Sequence, residues 1–158
     1  FIVRLPLAKN PIDEPSPAQS KERFDPCLSI PSSRILVVDD NRDTTATLAL
    51  ILERSGHHVH VAHDGLEAVH AAAAFRPDVV LLDIGLPKMN GFEVAKRIRQ
   101  QRSKGDVALV AVTGWGQQED RRRAMEAGFD HHLTKPVEMV ALMQLLATLI
   151  PASQPRAT

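Results

Sequence analysis

Several runs of apolar residues in this sequence end in side chains able to do polar chemistry. Val79 to Leu82 runs into Asp83, Ile35 to Val38 runs into Asp39 and Asp40, and Val107 to Val112 runs into Thr113. A shorter strand-like run, Asp130 to Thr134, runs into Lys135. Four apolar residues with no helical period read as a strand buried on both faces, and the Gly-Leu-Pro of residues 85–87 turns the chain just after Asp83. In an open parallel sheet the carboxyl ends of the strands line one edge, and the ligand crevice lies there, where strand order reverses. The expected crevice holds three carboxylates, a hydroxyl and an ammonium. The carboxylates repel one another, and a hard divalent cation relieves that repulsion. Mg²⁺ takes oxygen ligands, keeps some of its waters and typically binds one or two carboxylates plus a phosphate. Zinc would want His or Cys, and neither is expected at a strand end. Lys135 adds a fixed positive charge and Thr113 a hydroxyl donor. Together with the metal these are the parts that stabilise a phosphoryl group in flight, where positioning and charge neutralisation supply most of the catalysis.

The elements that must position these groups alternate strand and helix five times from Arg34 onward. Asn41 can cap a helix through about Ser55, with Gly56 where a left-handed residue is wanted. His57 to Ala62 alternates as an edge strand does, with Val59 and Val61 on one face. Asp64 caps a second helix whose Leu66, Val69 and Ala73 are expected to form its apolar face, and Pro77 ends it. Asn90 or Gly91 opens a third helix, with Val94 and Ile98 one turn apart, which frays into Gln100 to Gly105. A fourth helix is expected from about Gln117 to Ala127, closed by Gly128. The last, Val137 to Ile150, carries Leu142, Leu145, Leu146 and Leu149 on one face and stops at Pro151. Five such strand-helix units imply an α/β fold with a parallel sheet covered on both faces.

Outside this region the composition changes. Six of the eleven prolines fall before residue 32, and residues 8–33 have the Pro, Ser and charge content of a flexible linker. Such a tether spans about 30 Å root-mean-square. Ahead of it, Phe1 to Leu7 reads as one short strand without a partner. The chain starts at Phe1 rather than Met, which reads as a piece of a longer protein. Residues 151–158 are expected to be a disordered tail. No DNA-binding output module is expected in this sequence. A net charge of zero gives no electrostatic reason for nucleic-acid binding. No apolar run approaches the roughly 18 residues of a membrane helix, so no membrane contact is expected from this segment. The lone Cys27 cannot make an intramolecular disulfide, which suits a reducing compartment.

Val-Val-Asp-Asp-Asn (37–41), Leu-Leu-Asp-Ile-Gly-Leu-Pro (81–87), Val-Thr-Gly (112–114) and Leu-Thr-Lys-Pro (133–136) resemble the receiver domain of two-component response regulators. The resemblance covers residues 34–150, and the four motifs in order are jointly specific. It implies the flavodoxin-like doubly wound five-stranded sheet, order 2-1-3-4-5, and a phosphorelay function in which Asp83 takes a phosphoryl group from a phosphohistidine. Asp40 would then bind Mg²⁺ directly, Asp39 mainly through water, and Gly85 through its backbone carbonyl. Thr113 and Lys135 would hold phosphoryl oxygens, and the peptide bond to Pro136 would be cis, a state essentially confined to X–Pro. The implied partner is a histidine-kinase phosphohistidine domain or a histidine phosphotransfer protein, met by a cytoplasmic monomer. The position three before the lysine, commonly Tyr or Phe in the family, is His132, which departs from the usual aromatic switch. Phe-Ile-Val-Arg-Leu-Pro-Leu resembles the last strand of a histidine-kinase ATP-binding domain, and residues 114–137 are similar to receivers at the C-terminus of hybrid sensor kinases. A free-standing single-domain regulator or phosphate sink is the alternative.

Two rival classes share parts of the pattern. A flavodoxin-like FMN carrier would need a phosphate-cradling first loop, where Asp39-Asp40-Asn41 repels phosphate. A phosphatase of the haloacid-dehalogenase type would want a second Asp where this chain has Gly85. His57, His58, His60 and His63 read as an exposed edge strand and its turn rather than a metal cluster. Arg121 to Arg123 fan around a helix as a solvated face, and Trp115 either covers the crevice against water or is only a loop side chain.

Overall fold

The computed structural model describes residues 31–102, 105–114 and 118–150; side chains 118–121 stand outside that description. The expectations for residues 1–7, for most of the linker, for Cys27, for Trp115 and for 151–158 lie outside the described residues. Ten elements follow one another: β1 (Arg34–Val38), α1 (Arg42–Arg54), β2 (His58–Ala62), α2 (Gly65–Phe75), β3 (Val79–Asp83), α3 (Gly91–Gln101), β4 (Ala108–Thr113), α4 (Gln118–Ala127), β5 (His131–Thr134) and α5 (Met139–Leu149). The five strands form one parallel sheet in the order β2-β1-β3-β4-β5. Ser33, expected in the linker, is buried, and its carbonyl accepts a hydrogen bond from the His58 N–H at 2.9 Å. The fold therefore takes in at least this residue.

Alternation along the strands sorts the core to two faces. Leu36, Val38, Val80, Leu82, Leu109 and Ala111 pack with α2, α3 and α4. Ile35, Val37, Val79, Leu81, Val110 and Val112 meet Leu48 and Leu52 of α1 and Leu142 and Leu146 of α5. The helix starts follow their caps: the side-chain oxygens of Asn41, Asp64 and Asn90 accept from backbone N–H groups of α1, α2 and α3.

The buried face of α2 differs from the expected one. Val69 packs against the core as expected, but Leu66 is 56% exposed and Ala73 lies in solvent, while Gly65, Ala68, Ala71 and Ala72 are buried. Close approach is the physical reason. A Cβ on Gly65 would meet Met89 Cβ and Val94 Cγ2, each at 2.8 Å, so the helix packs through its smallest residues.

At the amino-terminal edge of the sheet, Arg99 ties several elements together. Its Nε donates to Gly128 O at 2.9 Å and one terminal nitrogen to Val107 O at 2.7 Å. The other terminal nitrogen pairs with Asp130 Oδ2, which also accepts from Leu109 N at 2.9 Å. Nearby, Arg102 donates to Pro77 O and Asp106 O.

Candidate functional site

β1 is flanked by β2 on one side and β3 on the other, so strand order reverses there and the crevice opens above the carboxyl ends of β1 and β3. Register brings the polar residues to one level. Val38 pairs with Leu82, Asp83 with Val112, and Thr113 with Thr134; Asp39 and Lys135 each follow directly. The carboxylates of Asp39, Asp40 and Asp83 have oxygens within 4.8 Å of one another. Asp39 and Asp83 are buried, and Asp40 is exposed.

The two buried carboxylates are held at both oxygens. Asp39 Oδ1 accepts from Asn41 N at 2.9 Å, and Asp83 Oδ1 accepts from Gly85 N at 2.9 Å. The ammonium of Lys135 bridges their other oxygens, 2.8 Å from Asp39 Oδ2 and 2.8 Å from Asp83 Oδ2. Burial by itself lowers the Lys135 pKa, but the hydrogen bonds to Asp39 and Asp83 and the charges of both carboxylates outweigh it. The net direction is upward, and the ammonium is a dependable cation. The Lys135–Pro136 peptide bond is cis, and Lys135 N donates to Thr113 O at 2.8 Å. Thr113 itself is buried at the end of β4.

An oxygen-only set of three clustered carboxylates, one of them open to solvent, fits a hard divalent cation that keeps part of its water. The Gly85 carbonyl stands on the same loop as the Asp83-bound Gly85 N–H. Gly91 closes that loop: a Cβ there would come within 2.6 Å of Asp83 O and 2.7 Å of Ile84 Cα. The backbone carrying Asp83 thus needs glycine at the start of α3.

Two histidines stand elsewhere than expected. His57 is buried rather than part of an exposed edge, and neither ring nitrogen has a hydrogen-bond partner. His63 does lie at a strand end, against the expectation that no histidine would: its Nδ1 is 3.2 Å from Asp39 O. The register Val38↔Ala62 is what places it there. His58 and His60 are exposed, with His60 tilted against Phe75 at 5.4 Å between ring centroids. Among the described residues the four histidines form no metal-binding group. His132 is half-buried and lines a groove between α4, β5 and α5, together with Met125, Phe129, Leu133, Ala141 and Leu145. Arg122 and Arg123 are exposed, Arg122 pairing with Glu126 at 3.0 Å. No helix among the described residues is long and apolar enough to cross a membrane.

Comparison with known proteins gives a consistent picture. Response regulator MprA of Mycobacterium bovis is 37% identical over 125 residues, covering 78% of this chain and 53% of the relative. The chain spans about half the length of the curated relatives it matches of this kind. Among solved structures, the receiver domain of sensor histidine kinase PA1611 from Pseudomonas aeruginosa PAO1, with a magnesium ion coordinated in its active-site cleft, is 31% identical. It superposes with a TM-score of 0.69, covering 76% of this chain and 98% of that one. The Saccharomyces cerevisiae co-crystal of the histidine phosphotransfer protein Ypd1 and the Ssk1 receiver domain matches at 29% identity and a TM-score of 0.71, covering 77% and 90%. The family model described as the response regulator receiver domain matches residues 35–147. A doubly wound sheet of order 2-1-3-4-5 with this crevice at its reversal point, matched by that model over most of its length, belongs to the response regulator receiver domain family.

Proposed function

We propose that Asp83 accepts a phosphoryl group from a phosphohistidine in a Mg²⁺-dependent step, as the receiver of a phosphorelay. The observation that carries this reading is the Lys135 bridge, which puts a fixed cation on Asp83 and Asp39 together at 2.8 Å each. An oxygen of Asp83 attacks phosphorus, the P–N bond breaks with its electron pair returning to the imidazole, and an acyl phosphate results. Lys135 is already at the nucleophile and exchanges a carboxylate oxygen for a phosphoryl oxygen, while the Thr113 hydroxyl donates to another. Asp40, Asp83 and the Gly85 carbonyl would hold Mg²⁺, with Asp39 acting through water. When bound, the ion neutralises charge on the transferring group. With the family known, the FMN-carrier and aspartyl-phosphatase alternatives are set aside.

Incubation with Mg²⁺ and a small acyl-phosphate donor, followed by intact mass, tests the assignment. The wild type gains one HPO₃ unit, and a chelator prevents it. Asp83→Asn stays folded by circular dichroism and gains none; labelling of that variant overturns the reading.

The finer placement is the C-terminal receiver of a hybrid sensor kinase in the cytoplasm. Residues 1–7 would be a remnant of the kinase domain, 8–32 a linker, the receiver would run from Ser33 to 150, and 151–158 would be a tail. The Phe1 to Leu7 resemblance and the likeness to the PA1611 receiver support it. The partner is a phosphohistidine domain or a histidine phosphotransfer protein, as in the Ypd1 co-crystal. The coding sequence ahead of Phe1 decides between hybrid and free-standing forms: nucleotide-binding boxes of a kinase support the former, and a start codon directly upstream overturns it.

A further inference from the structure

We propose that His63 is a positioning residue for the acidic crevice: its ring Nδ1 holds the Asp39 carbonyl and thereby sets where the Asp40 carboxylate stands. The proposal rests on reading that crevice as a Mg²⁺ site. A carbonyl oxygen carries no proton, so in the 3.2 Å contact between His63 Nδ1 and Asp39 O the ring is the donor. Asp39 N in turn donates to Ala62 O at 3.2 Å. The end of β2 therefore holds Asp39 by its N–H and by its carbonyl, one on either side of its Cα.

This matters for Asp40 more than for its neighbours. Asp39 and Asp83 are 4% and 6% exposed, and their carboxylates are fixed by Asn41 N, Gly85 N and Lys135. Asp40 is exposed, so its direction is set chiefly by its backbone. The Asp39 carbonyl belongs to the planar peptide that leads into Asp40; turning that plane swings the Asp40 Cα–Cβ bond. His63 is anchored in its turn. Its backbone N–H donates to Glu67 Oε2 at 2.7 Å, and Glu67 N is capped by Asp64 Oδ1 at 2.8 Å. A line of hydrogen bonds thus runs from the first turn of α2 through His63 to the Asp39–Asp40 peptide.

The side-chain chemistry supplies its own control. The amide nitrogen of Asn lies as many bonds from Cβ as His Nδ1 does, whereas that of Gln corresponds to Nε2, and Leu has no donor. Two measurements test the proposal. In the metal-free protein, ¹⁵N NMR should find His63 Nδ1 protonated, and the Asp40 amide should shift in His63→Leu and His63→Gln but return in His63→Asn. In a Mg²⁺ titration followed by amide shifts, the Leu and Gln variants should bind roughly tenfold more weakly, as loss of a group that orients a ligand commonly costs, with Asn close to wild type. An unprotonated Nδ1 in the wild type, unchanged Mg²⁺ affinity in His63→Leu, or a loss that Asn does not rescue overturns the proposal. Absence of any Mg²⁺ response in the wild type defeats the metal reading of the crevice instead, and the metal-free spectra still decide the role of His63.

Discussion

His57 carries two ring nitrogens into the interior, just past α1, with its backbone N–H on Leu52 O. Burial lowers its pKa from the ordinary 6.5, so the folded state favours the neutral ring. The sign follows from linkage. Below about pH 6.5 the unfolded chain takes up a proton that the folded chain resists. The stability associated with neutral His57 is therefore complete above that pH, is lost as the pH falls toward the lowered folded value, and levels off beneath it. Urea midpoints measured from pH 8 to pH 5 should fall more steeply for the wild type than for His57→Leu. At pH 8 the variant should be at least as stable, because it removes two buried unpartnered polar atoms; parallel curves would refute this account. Asp39, Asp40, Asp83 and Thr113 were legible as candidates because each stands at the end of an apolar run, and Lys135 because it ends a shorter strand-like one. His57 and His63 were not, because local alternation cannot say how β2 slides against β1, and that register decides which histidine is buried and which meets Asp39.

Elements were legible to within a residue or two at most ends, since Asn41, Asp64 and Asn90 announce helix starts and Gly56 and Gly128 take positive φ at 91° and 99°. In α2 only Val69 of the expected apolar residues meets the core; the rest of the buried face, Gly65, Ala68, Ala71 and Ala72, is selected by closeness of approach, which hydrophobic size does not reveal. The junction of β3 and α3 obeys the same demand. Adding one methyl at Gly91 drives atoms into the Asp83 carbonyl and the Ile84 backbone, neither of which can rotate away. Gly91→Ala should cost about 1–3 kcal/mol by overpacking and should slow phosphorylation of Asp83 in the fraction that folds. Gly114→Ala is the comparison, with nothing within 4 Å of its added Cβ, and should change stability by no more than about 0.5 kcal/mol. Equal urea midpoints for the two variants would contradict the crowding argument.

At the scale of the whole molecule, five alternating units dictated the parallel sheet, and the strand order came with the family resemblance rather than from periodicity. His132 lines the groove between α4, β5 and α5, and if Asp83 is phosphorylated its side chain should govern how far that face responds. Imidazole is smaller and more polar than the Tyr or Phe expected at this position, and burying it more deeply would require partners for its nitrogens. The drive to reorganise that face should be weak, so sedimentation with Mg²⁺ and a beryllofluoride phosphoryl mimic should show a monomer throughout. A tight dimer through residues 118–149 would show the opposite. The Arg99 clamp bears on any motion that does occur. It binds Gly128 O, Val107 O and Asp130 at the end of the sheet away from the crevice, so the trailing end of α4 and the entries to β4 and β5 are bolted to α3. Were a push delivered at Thr113, it would meet a lever with its fulcrum at Gly128, because any sliding of α4 along the sheet would have to break the guanidinium's hold on the Gly128 carbonyl.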